Sequence, residues 1–319
     1  MTLDELTIDP ASLWHGERMT DQPVAFVDLA SASQWADELV LPACPVIGLG
    51  DPAHPTVGML DAVIESPVTI DQILKQVTEK PNAAAVIVQL LRLLPSLGDQ
   101  DALTAESMAY AMLQGSAEHL GWIAARGASE ATPRTPGEVV LARDGGVLTI
   151  TLDHPDSGNA IDRHMRDRLH EAFALAAIDA SVETIMLRAN GKTFSLGADL
   201  DEFGTTLDPA AAHAIRWHTL PARKAALCKD RLEVHVQGGC VGSGLELAGW
   251  GRRITASRSA WFQLPELAMG ILPGAGGCVS LSRRIGRQRT ALLILSGKRL
   301  SARHALDWGL IDAIVDEPA

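Results

Sequence analysis

Two glycine-containing segments have the residue types needed to bring the main chain close to a ligand. Residues 191–199 (GKTFSLGAD) lie between a predicted strand and a predicted helix. Residues 236–246 (VQGGCVGSGLE) place five small residues directly before a helix that begins with Glu246. Glycine permits close approach to the backbone, and the positive end of a helix presents N–H groups without intrahelical acceptors. Both segments are therefore candidate ligand-binding turns.

Two familiar glycine motifs do not fit the second turn. A dinucleotide-binding G-x-G-x-x-G pattern beginning at Gly242 would need glycine at the position of Leu247. The G-x-S-x-G elbow of a serine hydrolase would need glycines at Val241 and Leu245, on either side of Ser243. We therefore predict neither a nicotinamide site nor a serine nucleophile.

Histidine and cysteine spacing predicts no metal site. The ten histidines form no HxxxH or HxxE pair, and the four cysteines form no CxxC pair. A disulfide framework is equally unsupported, so the sequence predicts scattered buried thiols in a cytoplasmic protein. The cysteines concerned are Cys44, Cys228, Cys240 and Cys278.

The elements that must position the two turns follow a β–α alternation from residue 137 onward. Apolar and polar residues alternate on both sides of Asp144-Gly145-Gly146, which predicts a hairpin. Alternation of strand and helix predicts an α/β fold whose sheet has crossover helices. The predicted elements are a helix over 163–179, a strand over 183–189, helical residues near 208–227, a strand over 232–236 and a helix over 245–251.

The first 127 residues have a different pattern. Residues 23–50 predict a small strand–helix–strand unit, with its helix over 31–40. Residues 68–126 predict three helices: 71–80 capped by Val68-Thr69, 82–94 opened by Pro81, and 105–127 preceded by Thr104. The stretch from Gly127 to Gly137 has two prolines and no apolar periodicity, which indicates a linker over 128–136.

Composition excludes several classes of partner. A net charge of −12 argues against nucleic-acid binding, which requires a basic surface. The longest apolar run, 83–91, is shorter than the roughly 20 residues of a membrane span. The acidic start MTLDELTIDP lacks the pattern of a signal peptide. We expect no nucleic-acid partner and no membrane partner.

Four segments in this order and spacing resemble the crotonase (enoyl-CoA hydratase/isomerase) superfamily. They are GKTFSLGADLDEF, VQGGCVGSGLELA, FQLPELAMGILPGAGG and ALDWGLIDAIV, and the resemblance extends from about Gly137 to Glu317. It implies a spiral core of ββα turns, with the site between two facing sheets. It further implies an acyl-CoA substrate, no metal or redox cofactor, and a homotrimer or hexamer.

The resemblance assigns the turns a role in binding the thioester. The N–H groups of Ala198 and Ser243 would form an oxyanion hole for the thioester carbonyl, which gains negative charge during reaction. Position 243 is usually glycine in the hydratases, so the serine adds a hydroxyl to the pocket. The backbone of Leu196, Gly197, Ala198 and Asp199 would hold the adenine of CoA, and Lys192 is a candidate for its phosphates.

Two glutamates match the carboxylates that hydratases of this family carry. Glu246 begins the helix after the second turn, and Glu266 stands in a Gln263-Leu264-Pro265-Glu266 segment. Leu264 departs from the usual order of that segment. Two carboxylates that face one pocket can share a water and separate their pKa values, so that one accepts a proton while the other donates. This pairing fits enoyl-CoA hydration, a lyase reaction.

Other activities of the superfamily remain open at this point. Pro273-Gly274 stands where a dehalogenase-like enzyme would place its aspartate nucleophile, which disfavours substitution on aryl-CoA. An isomerase needs only one glutamate to move a proton between carbons. A CoA-thioester hydrolase or lyase of the same fold, and a non-catalytic homologue that serves as a structural partner, are the further alternatives.

Chains of this family continue beyond the segment that matches 305–315 into C-terminal helices, and we expect the counterpart of those helices near the front of this chain. Residues 60–67 (LDAVIESP) nearly repeat residues 310–318 (LIDAIVDEP), and the helical pattern of 60–127 resembles the missing tail. We therefore predict a circular permutation: an N-terminal extension or remnant over 1–59, the tail-like helices over 60–127, the linker, and the spiral core over 137–319. Domain termini that lie close together make such a rearrangement tolerable.

Overall fold

The computed structural model of the protein describes residues 2–13, 22–31, 39–127 and 135–315. Most of the helix predicted over 31–40 and most of the predicted linker lie outside these residues. The helices are α1 (Leu3–Leu6), α2 (Ile70–Glu79), α3 (Pro81–Leu93), α4 (Asp99–Gln114), α5 (Ala117–Arg126), α6 (Arg163–Ile178), α7 (Pro209–Thr219), α8 (Pro221–Ala225), α9 (Ser243–Ala248), α10 (Gly277–Ser296) and α11 (Ala302–Asp307). The strands are β1 (Ala25–Asp28), β2 (Val46–Leu49), β3 (Ala62–Val63), β4 (Glu138–Asp144), β5 (Val147–Asp153), β6 (Thr184–Ala189), β7 (Leu232–Val236), β8 (Gly239–Val241), β9 (Arg253–Ala256), β10 (Trp261–Gln263), β11 (Leu300–Ser301) and β12 (Ala313–Ile314).

The largest sheet has the strand order β12-β9-β7-β6-β5-β4. The predicted hairpin is confirmed as the antiparallel pair β4–β5, and the other pairs of this sheet are parallel. Side chains along β5 alternate between buried and more exposed positions. Its buried residues, Leu148, Ile150 and Leu152, belong to the same core as the inner face of α6. This α/β core confirms the predicted fold class.

A smaller sheet, β11-β10-β8, stands beside the first. The chain passes from β7 to β8 through Gly238, whose φ is +56°. A Cβ atom at this position would collide with the carbonyl oxygen of Lys192. Glycine is therefore required where the chain moves from one sheet to the other. Both Gly238 and β8 lie within the second predicted turn, residues 236–246.

The helices that precede residue 127 pack on the sheet-containing core. Helices α2, α3 and α4 contact α10, and α4 also contacts α7. Glu118 of α5 accepts hydrogen bonds from the N–H groups of Asn82 (2.9 Å) and Ala83 (3.0 Å) and thereby caps α3. The Ser66 carbonyl accepts a 3.0 Å bond from Trp308 Nε1. This region and the core therefore share one interior.

The third predicted helix of this region is wrong in its bounds. The structure has two helices instead, α4 beginning at Asp99 and α5 beginning at Ala117. Gly115 ends α4, and the Ser116 side chain accepts a hydrogen bond from the His119 N–H at the start of α5. A glycine followed by an N-cap serine is a local signal for such a break.

The two repeated segments occupy matching places in two different sheets. β3 is an edge strand parallel to β2, and β12 is an edge strand parallel to β9. In the first pair Asp61 Oδ2 accepts a 2.8 Å bond from the Val46 N–H. In the second, Asp312 Oδ2 accepts a 2.7 Å bond from the Ile254 N–H. Sequence repetition is thus accompanied by repetition of structure.

Candidate active site

A cavity of about 650 Å³ lies where the two predicted turns meet helices α4, α5 and α7. Predicted site residues form part of its wall: Leu196, Gly197, Ala198, Asp199, Ser243, Glu246 and Glu266. Lys192 is exposed and is not part of the wall. The structure therefore brings together all the predicted residues except this lysine, whose role toward CoA phosphates stays a prediction.

The backbone around Ala198 directs its N–H group away from the neighbouring strand. Ile161 forms a parallel bridge to Ala198, in which the Ile161 N–H donates to Gly197 O and the Asp199 N–H donates to Ile161 O. In such a bridge the N–H and C=O of the central residue point to the opposite side. Ala198 is also one of the residues that line the cavity.

The second turn lies directly against the first. Ser195 forms a parallel bridge to Cys240, in which the Ser195 N–H donates to Gly239 O (3.1 Å) and the Val241 N–H donates to Ser195 O (2.9 Å). A Cβ atom on Gly197 would lie 3.3 Å from Val241 O. Ser243 is the first residue of α9, so its N–H has no intrahelical acceptor. The Ser243 Oγ is buried, with no hydrogen-bond partner in the described chain. Two backbone donors and one hydroxyl thus line the same end of the cavity.

Glu246 is buried in α9 and held by the loop before α10. Its Oε2 accepts hydrogen bonds from the N–H groups of Ala275 (2.6 Å) and Gly277 (2.9 Å). Burial raises the pKa of Glu246 to about 7, and the two N–H donors oppose this rise because they stabilise the ionised form. Glu246 therefore changes protonation state near neutral pH.

Glu266 faces Glu246 without comparable support. Its Oε2 is buried and has no partner among the described residues, while Oε1 lies 2.7 Å from where a Cβ of Gly242 would stand. Burial, and then the negative charge of Glu246, raise the pKa of Glu266 well above its ordinary value. The two carboxyl groups therefore differ: the bonded one ionises first, and the unbonded one retains its proton.

A third buried carboxyl group, Glu106 of α4, is not among the predicted site residues. Its two oxygens accept hydrogen bonds from the N–H groups of Gly276 (2.7 Å) and Val279 (3.2 Å) at the start of α10. Burial, followed by the charge of Glu246, raises the pKa of Glu106. Its position among the apolar residues of one helix face was the available sequence signal, because an isolated Glu there needs a buried partner.

Two other residues that sequence reasoning missed line the cavity beyond the glutamates. The ring of Tyr110 packs on Gly274, where any Cβ atom would collide with it. The guanidinium of Arg216 lies 4.3 Å from the centre of that ring. Burial raises the pKa of Tyr110, so its hydroxyl stays protonated.

Helix α5 closes the cavity on another side with aromatic rings. The ring centres of His119 and Trp122 lie 5.7 Å apart, and Phe203 packs edge-on against both. His119 Nδ1 lies 2.8 Å from Met269 O, and burial lowers the pKa of this histidine. His119 and Phe203 form this part of the cavity wall.

The described residues contain neither a metal-ligand cluster nor a bilayer-length apolar helix. No group of three or more His, Cys, Asp and Glu side chains within the described ranges could hold a metal ion. No helix in those ranges is long and apolar enough to cross a membrane. All four cysteines are free and buried, as predicted.

In a comparison with known protein families, residues 142–319 match the family described as enoyl-CoA hydratase/isomerase. The 2,3-dehydroadipyl-CoA hydratase of Escherichia coli K12 is 33% identical over 56% of this chain and 69% of its own length. The 1,2-epoxyphenylacetyl-CoA isomerase of the same organism is 31% identical over 56% of this chain and 71% of its own length. A solved enoyl-CoA hydratase subunit from Geobacillus kaustophilus HTA426 superposes with a TM-score of 0.51 at 30% identity, covering 56% of this chain and 68% of that one.

Proposed function

The chain belongs to the enoyl-CoA hydratase/isomerase (crotonase) family of acyl-CoA-processing enzymes, and from this premise we propose that it is an enoyl-CoA hydratase. The reaction adds water across the 2,3 double bond of a 2-enoyl-CoA thioester. Oxygen of the water bonds to C3 while C2 receives a proton, so no electron acceptor is needed. The observation that carries the proposal is the pair of buried glutamates with unequal hydrogen bonding in one cavity.

The two backbone turns supply the stabilisation that this addition requires. As oxygen adds to C3, negative charge moves through the conjugated system onto the thioester oxygen. The N–H groups of Ala198 and Ser243 would donate to that oxygen, and such donors act most strongly on charge that develops in the transition state. Because both belong to the backbone and are fixed by the paired turns, they need no reorganisation during the reaction.

The unequal environments of the glutamates assign them different roles. Glu246, whose ionised form is stabilised by two N–H donors, would accept a proton from the attacking water. Glu266, which retains its proton, would donate it to C2. After addition Glu246 holds a proton and Glu266 has lost one, and exchange with solvent restores both. An isomerase would require only one such carboxyl group, so the pair favours hydration.

The hydratase proposal is tested with glutamine variants. We expect Glu246→Gln and Glu266→Gln each to lower kcat for hydration of a 2-enoyl-CoA by about 10²- to 10⁴-fold, since each removes a proton-transfer group. Loss of conjugated-thioester absorbance and incorporation of ¹⁸O from labelled water measure the reaction.

Glu171→Gln provides the matched control, because this glutamate is exposed on α6 and its carboxylate pairs with the exposed Arg168. It should retain full activity. If the wild-type protein leaves every 2-enoyl-CoA unchanged but converts 3-enoyl-CoA into the conjugated isomer, the enzyme is an isomerase and the hydratase proposal is wrong.

A further inference from the structure

Arg216 differs from the other arginines in the cavity wall. Arg163 and Arg166 also line the cavity, and each lies beside a carboxylate: Arg163 Nε is 3.6 Å from Glu202, and Arg166 Nη2 is 2.7 Å from Asp167. Arg216 has no carboxylate within 4.0 Å among the described residues. Its positive charge is therefore not matched by an adjacent protein anion.

Neutral groups hold the guanidinium in place. Nε donates to Ser107 Oγ (3.1 Å), Nη1 to Gln114 Oε1 (3.2 Å) and Nη2 to Ser107 O (3.3 Å). The Tyr110 ring supports it from one face. A guanidinium carries five N–H donors in a fixed plane, so three such bonds orient it and leave donors for another group.

Glu106 does not take the place of the absent partner. Its charge acts on Arg216 through space. Both of its oxygens, however, accept hydrogen bonds from the start of α10 rather than from the guanidinium. A partly buried cation without a bonded anion is unfavourable. A carboxylate of a bound ligand would pair with the Arg216 charge through two parallel N–H···O bonds.

The position of Arg216 relates it to the acyl group. Tyr110 packs on Gly274, next to the residue whose N–H holds Glu246, and carries the guanidinium on its face. Arg216 therefore lies one aromatic ring beyond the glutamates. The residues expected to hold CoA lie instead on the 196–199 loop. An acyl chain that passes the glutamates would reach the guanidinium.

We infer that Arg216 binds a carboxylate at the far end of the acyl chain, so that the substrate is a 2-enoyl-CoA whose acyl group is the half-thioester of a dicarboxylic acid. This inference rests on the proposed hydratase function, since that function puts C2 and C3 beside the glutamates. Arg216 is a specificity-determining residue here, because it contacts the substrate away from the reacting carbons.

The wild-type enzyme is tested first with paired substrates. 2-Enoyl-CoA esters of four to eight acyl carbons are compared, each with a terminal carboxylate or with the methyl ester of that carboxylate. We expect kcat/KM for one chain length to be at least 100-fold higher with the carboxylate. Equal or higher kcat/KM for the methyl esters at every length would overturn the inference.

Variants then attribute the preference to the guanidinium. Arg216→Met should lower kcat/KM for the preferred carboxylate about 100-fold while changing that of its methyl ester less than threefold, and Arg216→Lys should retain part of the preference. Arg168→Met, on the exposed side of α6, is the control and should change neither value. A preference that survives unaltered in Arg216→Met contradicts the assignment.

Binding distinguishes failure of this inference from failure of the hydratase proposal. Calorimetry with the 3-hydroxyacyl-CoA forms of both substrates needs no turnover. If neither enoyl ester reacts but the carboxylate form binds at least 50-fold more tightly to the wild type than to Arg216→Met, the reaction type is wrong and the carboxylate site is correct. Equal binding of the two forms by the wild type would refute the site. Retention of the wild-type melting temperature by Arg216→Lys separates loss of recognition from loss of folding.

Discussion

At the scale of single residues, the surroundings of the Glu266 carboxyl group oppose its ionisation. Oε2 has no described partner, and the charge of Glu246 acts against a second negative charge. Above its ordinary pKa of 4.5 the unfolded chain ionises this group while the folded chain keeps it protonated. The free energy of unfolding therefore decreases as the pH rises from about 4.5 toward the raised pKa of the folded state. The group to which we assign proton donation thus lowers stability at neutral pH.

Glu266→Gln should therefore be more stable than the wild type at pH 8, by roughly 2 kcal/mol, while its kcat for hydration is about 10²- to 10⁴-fold lower. The neutral amide removes the opposition to ionisation. The difference should diminish as the pH is lowered to 4.5, where the wild-type carboxyl is protonated in both states. Urea unfolding at pH 4.5, 6 and 8 measures it. Equal stability of the variant and the wild type at pH 8 would show that Glu266 does not destabilise the folded state.

The residues found from sequence and those missed differ in how their neighbours are encoded. Ala198, Ser243 and Glu246 stand in short segments whose glycines and carboxylates are adjacent along the chain. The roles of Arg216 and Glu106 depend on residues that are distant in sequence. Glu106, for example, accepts a hydrogen bond from Gly276, which is 170 positions away. No local pattern carries that pairing, so only the assembled fold reveals it.

At the scale of elements, α4 connects the N-terminal region to the loop before α10, which holds Glu246. One of its faces carries Glu106 toward the start of α10 and Tyr110 toward the cavity. Most predicted strands and helices are present, because their apolar periodicity is local. Among the described residues, the predicted helix over 105–127 differs, because its interruption at Gly115 depends on one glycine and one capping serine.

Replacing Glu106 tests this connection. Glu106→Ala should lower the free energy of unfolding by roughly 2 to 4 kcal/mol, because it leaves the N–H groups of Gly276 and Val279 buried without acceptors. It should also lower kcat, since the same loop positions Glu246. Met108→Ala, on the exposed side of α4, is the control and should change stability by less than about 0.5 kcal/mol. Unchanged stability in Glu106→Ala would exclude the capping role.

At the scale of the whole molecule, the predicted permutation changes the order of the segments along the chain and keeps their arrangement in space. Matching hydrogen bonds of Asp61 and Asp312 accompany the repeated segments. Ser66, at the end of the first repeat, accepts a bond from Trp308, close to the second. These features support the predicted circular permutation. Assembly into a homotrimer or hexamer stays a prediction from the family resemblance.

A rearranged chain tests the permutation. Residues 135–318 followed by a short linker and residues 1–127 should fold, bury α4 against α10 and retain hydration activity within about tenfold. The expectation follows because the order of connection changes while the contacts of α2–α5 with the core remain. Circular dichroism, a cooperative urea transition and the hydration assay measure it. As a control, 135–318 alone should lack activity. A rearranged chain without cooperative unfolding would contradict the permuted origin.

The 170-residue separation between Glu106 and Gly276 also has a consequence during synthesis. At about 5 to 20 residues per second, α4 leaves the ribosome roughly 9 to 34 seconds before the residues that its carboxylate caps. For that time the apolar face of α4 has no core to cover it, whereas a tail made last would meet a finished surface. The small β1–β2–β3 sheet is translated earlier still, and in the folded protein Arg92 of α3 bonds to Asp61, the residue before β3. Placing the tail-like helices first therefore lengthens the time for which they are made but not yet packed on the core.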